Sequence, residues 1–271
     1  MMKQIVIFKG GLGNQLSQYG MYTYRKHILG KDVRWLYRES AHNGMEINKY
    51  FDVHMQQAHP IYHLLFWVVW RLYKYNIYKK LIYNENDNEE PKNAIFINGY
   101  WGYKKYISHE GFNIAFRDLP LSERNKEIAD MLTSCDSIAV HVRRGDYLLP
   151  QNAKIFTTLD KDYYTQAIDL CQKKLNPNHP PRVFFFSNDI DWVKENLPYD
   201  NAVYIDWNTK DDSIYDMYLM SLASANVIAN SSFSFWAAFL NKRQKIVVYP
   251  KNWYSNGRKN RDIFPIEWIK I

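Results

Sequence analysis

Apolar residues fall along this chain in short uninterrupted runs. Each is followed by a polar or glycine-rich turn and then by a stretch with helical spacing. Residues 5–8, IVIF, form the first run. GGLGN follows, and residues 15–29 then read as a helix. Gly30 would cap it, because glycine enters the left-handed conformation at a helix end without a Cβ clash. Residues 33–37 read as a second strand. A strand, turn, helix and strand in this order open a parallel sheet.

The second half repeats the pattern more regularly. Strands are expected at residues 137–142, 183–187, 202–205, 227–230 and 245–249. Helices are expected between them at 162–174, 191–197, 213–223 and 232–240. Strands that alternate with helices imply a parallel sheet with right-handed crossovers. The chain therefore reads as α/β, with two domains at 1–133 and 134–271 and the boundary near Thr133. No short-period repeat and no low-complexity linker interrupts it.

Residues 40–130 carry a weaker pattern. The segment 63–83, HLLFWVVWRLYKYNIYKKLIY, is apolar, aromatic and basic at once. Its uncharged core is too short to span a bilayer. A buried helix with snorkelling Lys and Arg is the expectation, and a helix lying on an anionic membrane surface is the alternative. NENDNEEPKN, residues 84–93, reads as a polar acidic loop, and AIFINGYW after it as another strand.

Composition narrows the class. The chain has 271 residues, 46% of them hydrophobic, so a large core can form and global disorder is excluded. Aromatic residues reach 17%, and Tyr and Trp offer flat faces with a polar edge that suit sugars and bases. The net charge of +7 favours anionic partners. No long Lys/Arg run is present, so nucleic acid is not an expected partner. Cys135 and Cys171 match neither a metal spacing nor a disulfide framework, which suits the cytoplasm. The opening MMKQIVIFKGG reads as a first strand rather than a signal or anchor, leaving peripheral contact at the inner membrane face as the alternative location.

Three polar clusters fall at three expected strand ends, where ligands bind in parallel sheets. HVRRGDY, residues 141–147, holds His141, Arg143, Arg144 and Asp146. Arginine held at a sheet edge can fork onto two phosphate oxygens; the plainer alternative is an ion pair with Asp146. SND supplies Asn188 and Asp189, the latter a ribose or guanine acceptor or simply a helix cap. NSSFS supplies Asn230, Ser231, Ser232 and Ser234 where a helix begins, and helix N-termini attract anions. DID, residues 189–191, also spells the D-x-D with which some glycosyltransferases hold a divalent ion. The tripeptide RGD admits an adhesion reading, which needs an exposed flexible loop.

GGLGNQL, residues 10–16, is a second glycine-rich strand-to-helix turn. It is neither a P-loop nor a clean dinucleotide fingerprint, yet Gly11 and Gly13 allow close backbone approach to a ligand. With Glu39 as a ribose acceptor, an NAD(P)-dependent enzyme remains a competing class, as does a binding protein without turnover. No zinc-hydrolase or serine-esterase motif occurs.

GGLGNQLSQY, HVRRGDY, SNDIDW and NSSFSFWAAFL, in this order and across nearly the whole chain, resemble glycosyltransferase family 11, the α-1,2-fucosyltransferases. The resemblance, closest to bacterial members, implies a GT-B architecture of two Rossmann-like domains facing across a cleft. The N-terminal domain would take the acceptor, and the C-terminal domain GDP-fucose. It implies transfer of fucose from GDP-β-L-fucose, with inversion, to the 2-hydroxyl of a galactose-containing oligosaccharide or lipid-linked glycan, without a metal cofactor. By analogy Arg143 would bind the diphosphate with Arg144 beside it, and His141 and Asp189 would lie near the guanosine. Ser231, Ser232 and Ser234 would hold phosphate oxygens, and Asn14 would sit near the reacting carbon. Phe235 and Ser17 depart from the family pattern, at positions that bear on packing or acceptor contacts. The acceptor's proton needs a base; Asp146 is the first candidate, with Glu39 and Glu46 as alternatives.

Overall fold

The computed structural model describes residues 3–38, 43–176 and 178–271. Glu39, named above as a ribose acceptor and as a base, lies outside the described residues. The chain divides into two compact units, Met1–Arg117 and Asp118–Ile271.

The first unit contains β1 (Gln4–Phe8), α1 (Leu12–Thr23), β2 (Val33–Tyr37), α2 (Ile47–Tyr50), α3 (Ile61–Tyr73), β3 (Ile82–Asn84), β4 (Phe96–Asn98) and α4 (Lys104–Ile107). Its four strands are ordered β2-β1-β4-β3, and every neighbouring pair is parallel. β1 is central and buried throughout, as a strand covered on both faces must be. The helical pattern at residues 15–29 is met by α1 and a π-helical extension, Tyr24–Ile28, and Gly30 follows with φ +61. The acidic loop is pinned from within. Arg25, 1% exposed, holds Glu90 through both terminal nitrogens and donates from Nε to Gln4 at 2.9 Å. A buried guanidinium without such a partner would be costly.

The expectation of a buried helix in residues 63–83 is corrected in two ways. The helix is α3 alone, and β3 closes the segment as an edge strand. Within α3 only Phe66 and Val69 are buried, against Ile5, Ile7, Ile82 and Phe96. The opposite face is apolar and exposed.

The second unit contains α5 (Glu123–Ser134), β5 (Ser137–Val142), α6 (Pro150–Ala153), α7 (Lys161–Leu175), β6 (Arg182–Ser187), α8 (Ile190–Asn196), β7 (Val203–Ile205), α9 (Ser213–Met220), β8 (Ala225–Val227), α10 (Ser232–Leu240), β9 (Ile246–Tyr249) and β10 (Ile269–Lys270). All strands of its six-stranded sheet are parallel, ordered β10-β9-β8-β5-β6-β7. The chain starts at β5, builds outward through β6 and β7, then returns to β8 on the other side. This is the doubly wound Rossmann order, with its switch point between β5 and β8. β5 is buried at all six positions, and its turn therefore sits at the middle of the sheet. α7 starts where Asp160 accepts from the Tyr163 N–H at 3.0 Å and ends on Lys173 and Lys174, which complement the helix dipole. Cys135 is exposed and Cys171 buried, both as free thiols.

The units divide between Arg117 and Asp118, not near Thr133, because α5 is bound into the second unit. Asn125 donates to Asn208 at 3.0 Å, Ser137 Oγ donates to the Leu132 carbonyl at 2.7 Å, and Arg243 donates to the carbonyls of Leu132 and Cys135. The expected strand at 227–230 also ends earlier, at Val227, because Asn230 turns to tie two loops together.

Candidate functional site

The three polar clusters meet at one edge. β8, β5 and β6 are neighbours in a parallel sheet, so their carboxyl ends emerge side by side, astride the switch point. In register, Val142 at the end of β5 lies opposite Ser187 at the end of β6.

His141 is the last inward-facing polar residue of β5. It is 6% exposed, its ring lies 5.8 Å from that of Phe233, and its Nδ1 has no hydrogen-bond partner. Burial, with the Arg143 charge adding to it, pulls its pKa down to about 3, so the imidazole is neutral at physiological pH.

The two arginines are held differently. Arg143 Nη2 donates to Asp146 Oδ2 at 2.9 Å, its Nε lies 2.9 Å from Oδ1, and its guanidinium sits 5.6 Å from the Tyr147 ring centroid. Arg144 lies 3.9 Å over the Trp192 ring, with Nε 3.5 Å from Asp189. Asn188 joins the two: its Oδ1 accepts from the Arg144 N–H at 3.1 Å, and its Nδ2 donates to Asp146 at 3.3 Å. Gly145 makes this possible, since a Cβ there would stand 2.5 Å from Asn188 Nδ2. RGD thus opens a 3₁₀ turn at Gly145–Leu148, with Asp146 gripping Arg143 just before the tripeptide and Arg144 held by Asp189, and is not a free adhesion loop. Asp146 orients Arg143, and Asp189 is an arginine partner rather than a helix cap.

At the end of β8 the serines divide their work. Ser231 caps α10, its Oγ accepting from the Phe233 N–H at 3.3 Å. Ser232, half-buried, begins the helix. Ser234 is fully buried and donates to the carbonyls of Ala229 and Ser231, so it shapes the turn and is not presented to a ligand. Asn230 Nδ2 donates to the carbonyls of Thr157 and Trp253, both at 2.8 Å, while Tyr147 donates to the Asn230 carbonyl at 3.0 Å. Asn230 is therefore a clasp. The turn carries guanidinium groups beside a capped helix N-terminus, an arrangement suited to a phosphate chain.

The glycine turn itself, residues 10–14, is neutral; it follows Lys9, whose Nζ donates to Asn98 Oδ1 at 3.1 Å. Gly10 adopts φ +77, and a Cβ there would meet Asn14 Nδ2 at 2.6 Å. Gly11 caps α1; Gly13 and Asn14 lie in its first turn, where the Asn14 N–H donates to the Gly11 carbonyl at 2.9 Å. Sequence reasoning missed the two glutamines that hold this turn. Gln15 is fully buried; it donates to the carbonyls of Gly10 and Gly44 and accepts from the N–H groups of Glu46 and Ile47. Gln18, also fully buried, accepts from Lys9 N–H and donates to the carbonyls of Lys9 and Gly99. The signal was a pair of glutamines three apart, one helical face, directly after the glycines. Glu46, named as a possible base, is buried and accepts from Asn43 at 3.4 Å.

Asp216 in α9 was also missed. It accepts from Asn208 at 2.8 Å, and burial raises its pKa to about 7, against the lowering effect of that hydrogen bond. Asp191 is exposed in the first turn of α8. Among the described residues no group of three or more His, Cys, Asp and Glu side chains is placed to hold a metal ion.

The second unit is a doubly wound α/β sheet with paired arginines and a serine-capped helix at its switch point, an edge whose charge and N–H groups suit an anion. The model of glycosyl transferase family 11 matches residues 121–271, more than half of the chain. The chain belongs to that family, and it is a glycosyltransferase similar to the α-1,2-fucosyltransferases. It is 29% identical to an alpha-1,2-colitosyltransferase of Escherichia coli, over 97% of this chain and 96% of the relative. It is 25% identical to galactoside alpha-(1,2)-fucosyltransferase 2 of Oryctolagus cuniculus, over 97% of this chain and 75% of the relative. Among solved structures, the fucosyltransferase NodZ from Bradyrhizobium shares the fold, with a TM-score of 0.52 at 16% identity over 89% of this chain and 94% of that one. Both departures from the family pattern are packing residues: Phe235 is buried against Phe264 and Trp268, and Ser17 donates to the Gly13 carbonyl at 3.3 Å.

Proposed function

We propose that this chain transfers L-fucose from GDP-β-L-fucose, with inversion, to the 2-hydroxyl of a galactose-type acceptor. The observation that carries this reading is the fixed pair Arg143 and Arg144 at the switch point of the second sheet, beside the N-terminus of α10. The acceptor oxygen bonds to C1 of the sugar as the C1–O bond to the diphosphate breaks. The hydroxyl proton passes to water or to a phosphate oxygen of the departing GDP, which carries away the electron pair of the broken bond. Negative charge therefore grows on the β-phosphate, where a guanidinium held in advance is worth most. Arg143 supplies that charge, and Asp146 acts through it as a positioning residue. Arg144, Asn188 and Asp189 form the nucleoside side of the site with neutral His141, while Ser231 and Ser232 offer the helix end to phosphate. On this reading the arginines do the work of a metal ion, and none is required. The GGLGN turn with Asn14 serves the sugar or acceptor.

A colitosyl donor, which lacks the 3-hydroxyl of fucose, is the second reading; it is motivated by the similarity to the colitosyltransferase along almost the whole chain. Calorimetric titration with GDP in excess EDTA is the first test. Binding that disappears in Arg143→Ala is the expected result; binding only with a divalent ion present would overturn the metal-free site. Turnover of GDP-fucose against GDP-colitose on a β-galactoside, with the linkage read by NMR, then separates the donors.

A further inference from the structure

α3 has two apolar faces, and the sheet uses only one. Phe66 and Val69 pack inward with Tyr62, Trp70 and Tyr73 beside them. On the far side Ile61, Leu64, Leu65 and Val68, at the i, i+3, i+4, i+7 spacing of one helical face, are 56%, 59%, 38% and 38% exposed, and Trp67 next to them is 50% exposed. The turn after the helix continues the patch: Tyr75, Ile77 and Tyr78 are 71%, 47% and 58% exposed. Water would meet polar side chains on the outer face of an ordinary surface helix, so a contiguous apolar strip of this kind marks a docking surface.

Charge identifies the occupant. From Val53 to Asn84 the sequence contains no Asp or Glu, while Arg71, Lys74, Lys79 and Lys80 are all exposed beside the strip. Arg71 lies 5.5 Å over the Trp67 ring, so its charge sits at the edge of the apolar surface. In the acidic loop that follows, Glu85 accepts from the N–H groups of Tyr100 and Trp101, Asp87 from that of Asn84, and Glu90 from Arg25. Three of the loop's four carboxylates are thus engaged within the fold, and the fourth, Glu89, is exposed beyond the basic segment. A second copy docked on the same face by a two-fold axis would bring basic segments together with no acid in either. Apolar residues in the centre, Trp and Tyr at the margin and lysines around them match the layers of a lipid leaflet with anionic headgroups.

We propose that the outer face of α3 and the turn at residues 74–80 seat the first unit on an anionic lipid surface. The apolar strip enters the headgroup layer, and the four basic side chains engage lipid phosphates. No helix among the described residues is long and apolar enough to cross a membrane, so the contact is peripheral. This surface is independent of the donor and acceptor reading, which GDP titration tests separately.

The experiment is co-sedimentation of the full chain with phosphatidylcholine vesicles with and without phosphatidylglycerol. The protein is expected to pellet with the anionic vesicles and to be released by high salt. Two double variants, Leu64→Ser with Val68→Ser and Lys74→Glu with Lys79→Glu, should each weaken binding at least about tenfold. All four positions are exposed, so circular dichroism and thermal melting should be unchanged and any loss of binding is then a surface effect. Quenching of Trp fluorescence by brominated phosphatidylglycerol should be reduced in Trp67→Phe. Absence of binding, or equal binding to both vesicle types, overturns the proposal. So does a wild-type dimer in sedimentation velocity that the Leu64→Ser, Val68→Ser variant makes monomeric, which would assign the face to a second copy.

Discussion

Each unit begins its sheet in the same way, with a buried central strand and a tight turn at its carboxyl end, and the two turns are chemically opposite. After β1 and Lys9, whose ammonium is turned onto Asn98 and Tyr100, the turn is glycine and amide: Gly10, Gly11, Gly13 and Asn14, stapled by fully buried Gln15 and Gln18. After β5 it is ionic: two guanidinium groups held by Asp146 and Asp189, half-open to solvent. One topology can therefore present a neutral backbone surface or a fixed positive charge. Neutral groups hold a turn only if they are buried and fully paired, whereas an exposed turn can be held by ion pairs that stay available to a ligand.

The strongest way to break this contrast is to remove the charge. Arg143→Ala should lower turnover by about 10³-fold, roughly 4 kcal/mol of transition-state stabilisation. Its stability should change by about 1 kcal/mol, because the ion pair it loses is partly open to solvent. Steady-state kinetics alongside urea unfolding would check both halves, and a folded variant with wild-type turnover would end the assignment. The converse is expected in the first unit. Gln15→Ala leaves the N–H groups of Glu46 and Ile47 and two carbonyls without their partner, and should cost about 3 kcal/mol in urea unfolding.

A third test sharpens the electrostatic side of the second unit. Asp216 has a folded-state pKa of about 7, above its unfolded value, so the folded state binds more protons between about pH 4 and 7. Its contribution to stability is complete below that window and is lost as pH rises through 7. From pH 5 to 8 the loss should be about 2–3 kcal/mol. Neutral buried His141 works in the opposite direction, costing stability as pH falls below its ordinary value toward 3. The measurement is therefore the difference in unfolding free energy between wild type and Asp216→Asn across this range; a constant difference would contradict the assignment. The smallest effect concerns Asp146. As a positioning residue, its change to Asn should reduce turnover about tenfold with the pH profile retained. Loss of the acidic limb of that profile, with a far larger drop, would make it the proton acceptor instead.

Much of this was legible in the chain. β2, β5 and α10 lie at the positions their patterns indicate, because a buried parallel strand is an unbroken apolar run and α10 opens on a serine cap. Arg143, Arg144 and Asp189 were legible as a charged cluster at the strand ends, since charge directly after a buried strand is unusual. Gln15 and Gln18 were not recognised, because glutamine in a helix is unremarkable until its partners on distant loops are known. β3 and β10 are too short to carry a pattern, and only pairing with β4 and β9 makes them strands. The unit boundary was misplaced because α5 has the amphipathic pattern of any surface helix, and its bonds to Asn208 and Arg243 cannot be read locally.

By itself the sequence determined the class, the parallel sheets and the residue types at the strand ends, since hydrophobic runs and turn chemistry act over a few neighbours. Tertiary structure decided which arginine is gripped by which acid, that Ser234 and Asn230 are spent on the fold, and that one face of α3 is left to solvent. Those outcomes depend on pairs of groups far apart in the chain, and only strand order and packing bring them within hydrogen-bonding distance.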